Sequence, residues 1–293
     1  MSNGKACVLA AAEAAAATGT CSLEEVLPLL RQLSIDLFGE VLLDMPDRRF
    51  PALSRLLPAM ASAKTQEAWT GSHGRKLLAE SVAFVRAMTN AWERFGTRSL
   101  GGAAILDYGC GYGRLLRLLM HAADPAHLFG CDPWEAAIEL CREARIPCDL
   151  KVTPYLPERL PYPDHSVDLA YAFSVFTHTS ERASRHALRA LHRAVRPGGI
   201  LVVTIRPVSY WSIHSPLMEG ERVTLQAAHD SVGFAFKPHE RTPVDGDVTY
   251  GDTSLTVETL QRLAPGWLVL HEQILPESPF QRIVYLRAGE LPD

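Results

Sequence analysis

The spacing of apolar residues changes near residue 100. Before it, apolar positions recur every three or four residues: Leu78, Val82, Val85, Met88 and Trp92 share one face of a helix. Ser22 and Glu25 form a capping-box pattern that opens another helix, running through about Phe38. Residues 6–17 are rich in alanine; Glu13 interrupts the apolar run and only Lys5 precedes it, so the segment reads as a helix and not as a signal peptide. After residue 100, short apolar runs alternate with helical patterns. Strands are predicted at Ala103–Leu106, Leu128–Asp132, Asp149–Thr153, Ser166–Phe173 and Ile200–Ile205. Helices are predicted from Arg114, over Pro133–Arg145 and over Glu181–Val195. Strand and helix in strict alternation predict a parallel sheet covered on both faces.

The pattern then loosens. Residues 206–254 are longer than an ordinary strand-to-helix connection, and such segments are usually functional. Two strand-like pieces inside it, Val232–Lys237 and Asp247–Tyr250, suit a hairpin. A helix at Val257–Leu263 and two last strands, Trp267–Ile274 and Gln281–Arg287, complete the chain. The organisation predicted is a helical N-terminal extension over 1–98, then an α/β domain over 99–293 with an insertion at 207–254.

Composition narrows the function classes. With 293 residues, 47% of them hydrophobic, the chain can bury a sizeable core. A net charge of −4 without long runs of either sign argues against nucleic-acid and anionic-membrane partners. The six cysteines show no Cys-x-x-Cys pairing, so neither a zinc site nor a disulfide framework is indicated, and a reduced, cytoplasmic protein is expected.

The candidate chemistry lies at the first strand. Asp107 ends it, and Gly109, Gly111 and Gly113 alternate before Arg114 starts a helix. A glycine turn between strand and helix lets backbone lie directly against a ligand. A carboxylate beside that turn would repel a pyrophosphate but suits a ligand bearing an ammonium and a sulfonium. Asp132 ends the second strand, where an acid accepts hydrogen bonds from ribose hydroxyls; it also suits the N-cap of the helix that follows.

Asp107-x-Gly-x-Gly-x-Gly113, Asp132, the Leu160-Pro161-Tyr162 segment and Arg196-Pro-Gly-Gly-Ile-Leu resemble the motifs of the class I S-adenosylmethionine (SAM)-dependent methyltransferases, over residues from about 100 to 290. The resemblance implies a doubly wound, mostly parallel seven-stranded sheet closed by an antiparallel hairpin. The helical N-terminus resembles the extension of a bacterial subgroup. SAM is the implied cofactor, held by Asp107, Gly109, Cys110, Gly111, Gly113, Asp132, Pro133, Tyr155, Leu156 and Ser174. Thr153-Pro154-Tyr155 stands where many relatives carry an acid for the adenine, so backbone around Tyr155 and Leu156 is the expected substitute.

The acceptor side is expected beyond the fourth and fifth strands. His178 is the candidate general base, with a backbone-bonded structural histidine as the plainer reading. Arg206, Tyr210, Trp211 and His214 are candidate substrate residues, and Trp69–His73 a candidate lid. The strand ends read Ala-Phe-Ser and Ile-Arg-Pro, without the clustered carboxylates of metal-assisted O-methylation, so no metal is expected. The leading function is methyl transfer to a small-molecule acceptor, a hydroxyl oxygen of a sugar or secondary metabolite. N-, C- or S-methylation on the same fold, and a non-catalytic SAM-binding module, stay open alternatives, as does homodimerisation.

Overall fold

The computed structural model describes residues 3–214 and 217–290. Six helices come first: α1 (Asn3–Ala16), α2 (Leu23–Leu30), α3 (Ile35–Leu43), α4 (Pro51–Leu56), α5 (Ala63–Thr70) and α6 (Gly74–Phe95). One helix was expected from Ser22 to Phe38; the chain instead breaks between α2 and α3. Ser34 caps a new helix there, accepting from the Leu37 N–H, while Arg31 turns away to donate to the carbonyls of Met120 and Ala123. The face of α6 anticipated from spacing is the buried one: Val82, Val85, Met88 and Trp92 all pack into the core.

The α/β part runs β1 (Ile105–Tyr108), α7 (Arg114–Leu119), β2 (Leu128–Asp132), α8 (Glu135–Glu143), β3 (Asp149–Val152), β4 (Val167–Ala172), α9 (Glu181–Ala194) and β5 (Val195–Ile205). The connection after β5 carries α10 (Tyr210–Ile213), α11 (Glu219–Val232), β6 (Phe234–Pro238) and β7 (Gly251–Leu255). The chain then forms α12 (Val257–Leu263), β8 (Trp267–Ile274) and β9 (Arg282–Ala288). The seven-stranded sheet has the order β3-β2-β1-β4-β5-β9-β8. Strands β1 to β5 are parallel, and β9 and β8 close the edge antiparallel.

Every residue of β4 is buried, as expected of a central strand covered on both faces. Helix α9 buries Ala183, Ala187, Leu188 and Leu191 against one face, and Ser180 caps it by accepting from the Ala183 N–H. The strand order reverses between β1 and β4, and the crevice beyond their carboxyl ends is where such a sheet takes its ligand.

Two readings need correction. The Arg196–Gly199 segment does not precede β5 but belongs to it: Val195 already pairs with Val167, and the register shifts before Leu169 meets Ile200. The second strand of the expected hairpin is β7, not Asp247–Tyr250. Asp245 and Gly246, with φ of 49° and 79°, form a tight turn closed by paired Val244 and Asp247, and β7 follows it to pair with β6. An Asp-Gly pair is a strong turn signal because both central residues must take positive φ. Helix α11 was missed as well; residues 215–216 of the insertion lie outside the described residues.

Candidate active site

A cleft of about 470 Å³ opens at the carboxyl ends of β1, β2 and β4. The turn from Gly109 to Gly111 forms its floor. Gly109 has φ of 78° and its N–H donates to the Cys131 carbonyl, tying the turn to β2. A Cβ at Gly109 would stand 2.5 Å from the Val175 side chain. One at Gly111 (φ 54°) would project toward the ring of Trp69, at 3.7 Å. Glycine is thus required at Gly109 for space and at both positions for backbone angle.

Asp132 is held by the same turn. Its Oδ2 accepts from the Gly111 N–H at 3.0 Å and its Oδ1 from the Trp134 N–H at 2.9 Å. Each oxygen keeps a lone pair beyond these bonds, so the carboxylate can still accept from a ligand. Asp107 is only 3% exposed, and burial pushes its carboxyl up to about 7, with the nearby Arg114 charge opposing. Arg114, the first residue of α7, lies over the Phe173 ring at 4.9 Å and donates to Ser81 of α6 at 2.7 Å. A carboxyl and a guanidinium therefore line one stretch of the cleft, a combination that suits a zwitterion.

Of the residues expected to hold the cofactor, Asp107, Gly109, Cys110, Gly111, Asp132, Pro133, Tyr155 and Ser174 line this cleft. Gly113 sits behind it, where a Cβ would press on Ile146 at 3.0 Å, and Leu156 is not part of the wall. Trp69 from α5 stacks on Trp134, ring centroids 4.6 Å apart, and the N-terminal extension thereby covers part of the opening.

The acceptor-side residues are arranged differently from expectation. His178 lines the cleft, but both its ring nitrogens are engaged. Nδ1 lies 2.7 Å from the Gly251 carbonyl and must carry the proton; Nε2 accepts from Arg206 at 3.0 Å. Burial, followed by the Arg206 charge, pulls its pKa down to about 4. The imidazole stacks face to face on Tyr250 at 5.1 Å, and the Arg241 guanidinium lies over the Tyr250 ring at 4.1 Å.

Arg206, Tyr210 and His214 do not line the cleft. They converge on Asp252 of β7, a residue with no motif around it. Its Oδ1 accepts from Arg206 at 2.8 Å and from the Tyr210 hydroxyl at 2.9 Å. Its Oδ2 meets His214 at 3.0 Å and His239 at 2.8 Å. Burial alone would push the Asp252 carboxyl up, but the bonds from His239, His214 and Arg206 outweigh it and hold it well below the usual carboxylate range. Trp211, expected as a pocket wall, is fully buried with Leu225 and Ala235 and donates to Ser254 at 2.6 Å. Among the described residues no group of three or more His, Cys, Asp or Glu is arranged to hold a metal ion.

Residues 106–203 match a protein family described as a methyltransferase domain. Those residues carry a methyltransferase domain. A tRNA (carboxymethyluridine(34)-5-O)-methyltransferase of Arabidopsis thaliana is 33% identical over 106 residues, 36% of this chain and 24% of the relative. A phthiotriol/phenolphthiotriol dimycocerosates methyltransferase of Mycobacterium tuberculosis is 31% identical over 118 residues, 39% of this chain and 42% of the relative. The matches thus span less than half the length of these relatives. The crystal structure of a SAM-dependent methyltransferase from Methanosarcina mazei shares the fold, with a TM-score of 0.50 and 18% identity over 69% of this chain and 98% of that one.

The methyltransferase cleft fits SAM on its own evidence. It is of ligand size, its floor is bare backbone, and burial outweighs the nearby Arg114 charge at Asp107, so a cationic ligand would favour its ionised form. No helix among the described residues is long and apolar enough to cross a membrane.

Proposed function

We propose that the protein transfers the methyl group of SAM to a small-molecule acceptor, at a hydroxyl oxygen. The observation that carries this reading is the shared cleft: the glycine turn, Asp107 and Asp132 line the same cavity as His178, Tyr250 and Arg241. Asp132 accepts from the ribose hydroxyls, the Asp107 carboxylate and Arg114 face the amino and carboxyl groups of the methionine part, and Pro133 and Tyr155 border the adenine. Ser174, with φ of 61°, turns the chain away from the sheet where the methyl group is presented. SAM supplies an electrophilic methyl group, so the protein's task is chiefly alignment and exclusion of water.

His178 serves this task as a wall. Its Nε2 lone pair is taken by Arg206, and abstraction of a proton would require that bond to break first. Asp252 fixes Arg206, Arg206 fixes His178, and the flat His178–Tyr250–Arg241 stack gives the acceptor a rigid face with a cationic edge. Trp69 closes the cleft from the N-terminal side.

The test is methyl transfer from labelled SAM to fractionated small metabolites, with total tRNA as a separate arm. Label in a small hydroxylated compound is the expected result. Label in tRNA would replace the acceptor class, and label on nitrogen, carbon or sulfur would replace the acceptor atom.

A further inference from the structure

Arg117 is one of the largest fully buried side chains, 1% exposed. It sits on α7 one turn after Arg114, between the domain and helices α3, α5 and α6. Its Nη1 reaches the Met60 sulfur at 3.1 Å, while Nε and Nη2 have no hydrogen-bond partner. Among the described residues Arg117 makes no ion pair; the ionisable groups near it are Tyr112 and Cys141. The Tyr112 hydroxyl is likewise buried and unpartnered, and the guanidinium lies 5.9 Å from its ring.

Burial brings the Arg117 pKa down to about 10, which leaves it charged at neutral pH. A buried guanidinium with two unbonded nitrogens and no counter-charge is among the costliest arrangements a core can hold. Arg114, three residues earlier on the same helix, has Glu80 and Asp107 nearby and does not supply a counter-charge to Arg117. These groups share a cavity of about 20 Å³, lined by Arg117, Arg114, Tyr112, Gln66, Ser81 and Met60 among others. That volume takes one water-sized particle and excludes carboxylate or phosphate groups.

We propose that this cavity is a binding site for one monatomic anion, chloride, held between Arg117, Arg114 and the Tyr112 hydroxyl. The hydroxyl donates to the ion together with the unbonded N–H groups of Arg117, and the ion offsets the buried Arg117 charge. Tyr112 and Arg114 also line the large cleft, so the ion steadies its rear wall. The site lies where the N-terminal helices meet α7 and joins the extension to the domain.

The experiment is thermal unfolding of the cofactor-free protein in sodium chloride and in sodium gluconate at equal ionic strength. Chloride is expected to raise the midpoint by about 3 °C, and the rise to grow with the logarithm of its concentration. Arg117→Met, similar in length and uncharged, should abolish the chloride dependence, and Tyr112→Phe should weaken it. Equal midpoints in the two salts, or a chloride effect that survives Arg117→Met, would overturn the proposal. Bromide-soaked crystals of the wild-type protein decide the case even if the variant fails to fold. An anomalous peak between Arg117 and Tyr112 supports the site; density there without anomalous signal is a water and refutes it.

Discussion

Arg206 donates to His178 Nε2 across 3.0 Å, and this contact decides how the histidine can act. With Nδ1–H given to the Gly251 carbonyl and a pKa of about 4, His178 is neutral throughout the range where enzymes are assayed, yet its lone pair is spoken for. General-base catalysis contributes typically about 10²–10⁴-fold. Replacing a wall residue that removes no proton should cost less, so we expect His178→Ala to lower turnover by about tenfold, with a flat pH–rate profile from 5 to 9 in both proteins. A loss above about 10³-fold together with a vanished acid limb would restore the base assignment.

The same burial makes the fold sensitive to acid. The folded-state pKa of His178 lies below the ordinary 6.5, so as pH falls the unfolded chain takes up the proton first. Its contribution is fully present above about 6.5 and is lost as pH falls toward about 4, on the order of 3 kcal/mol. His229, lowered mainly by burial, acts in the same direction. Urea unfolding at pH 7 and pH 4.5 should show this loss, and His178→Gln should make the difference between the two smaller.

Asp252 tests the buried network behind the cleft. Asp252→Asn leaves Arg206, only 11% exposed at its side chain, without a counter-charge. The expected destabilisation is about 3–5 kcal/mol, the range for breaking a buried pair. The double variant Asp252→Asn with Arg206→Met should recover part of it, as read by denaturant midpoints.

Cofactor affinity should follow the ionisation of Asp107. The free protein holds this carboxyl at about 7, and the ammonium and sulfonium of SAM favour its charged form. Affinity is therefore present above about 7 and lost as pH falls below it, roughly tenfold between pH 8 and pH 6. Calorimetry should show the trend in the wild type; Asp107→Asn should bind weakly with most of that trend removed.

The parallel sheet was legible because β1, β2, β4 and β5 are near-continuous apolar runs and α6 and α9 have clear helical faces. The cleft floor was legible because its residues stand close in sequence at two strand ends: Asp107 to Gly111, then Asp132 and Pro133. The opposite wall was not, since it is assembled from the segment before β7 and the β4–α9 loop. Asp252 lies in a strand that reads as ordinary polar text, and its partners come from positions 206, 210, 214 and 239. Trp211 was misread because an aromatic residue in a long connection looks like a pocket wall until α11 supplies the core that buries it. The Asp245-Gly246 turn was the one local signal that would have placed β7 correctly.

Ligand choice at the glycine turn separates a SAM site from a dinucleotide site. Titration calorimetry of the wild type with S-adenosylhomocysteine and, separately, with NADH requires no knowledge of the acceptor. S-adenosylhomocysteine should bind at one site per chain and NADH should give no heat. Gly111→Val, at a φ of 54° that a branched side chain resists, should abolish binding while the circular dichroism spectrum stays that of the wild type. Tight NADH binding with no response to S-adenosylhomocysteine, or a Gly111→Val protein that binds it normally, would contradict the account.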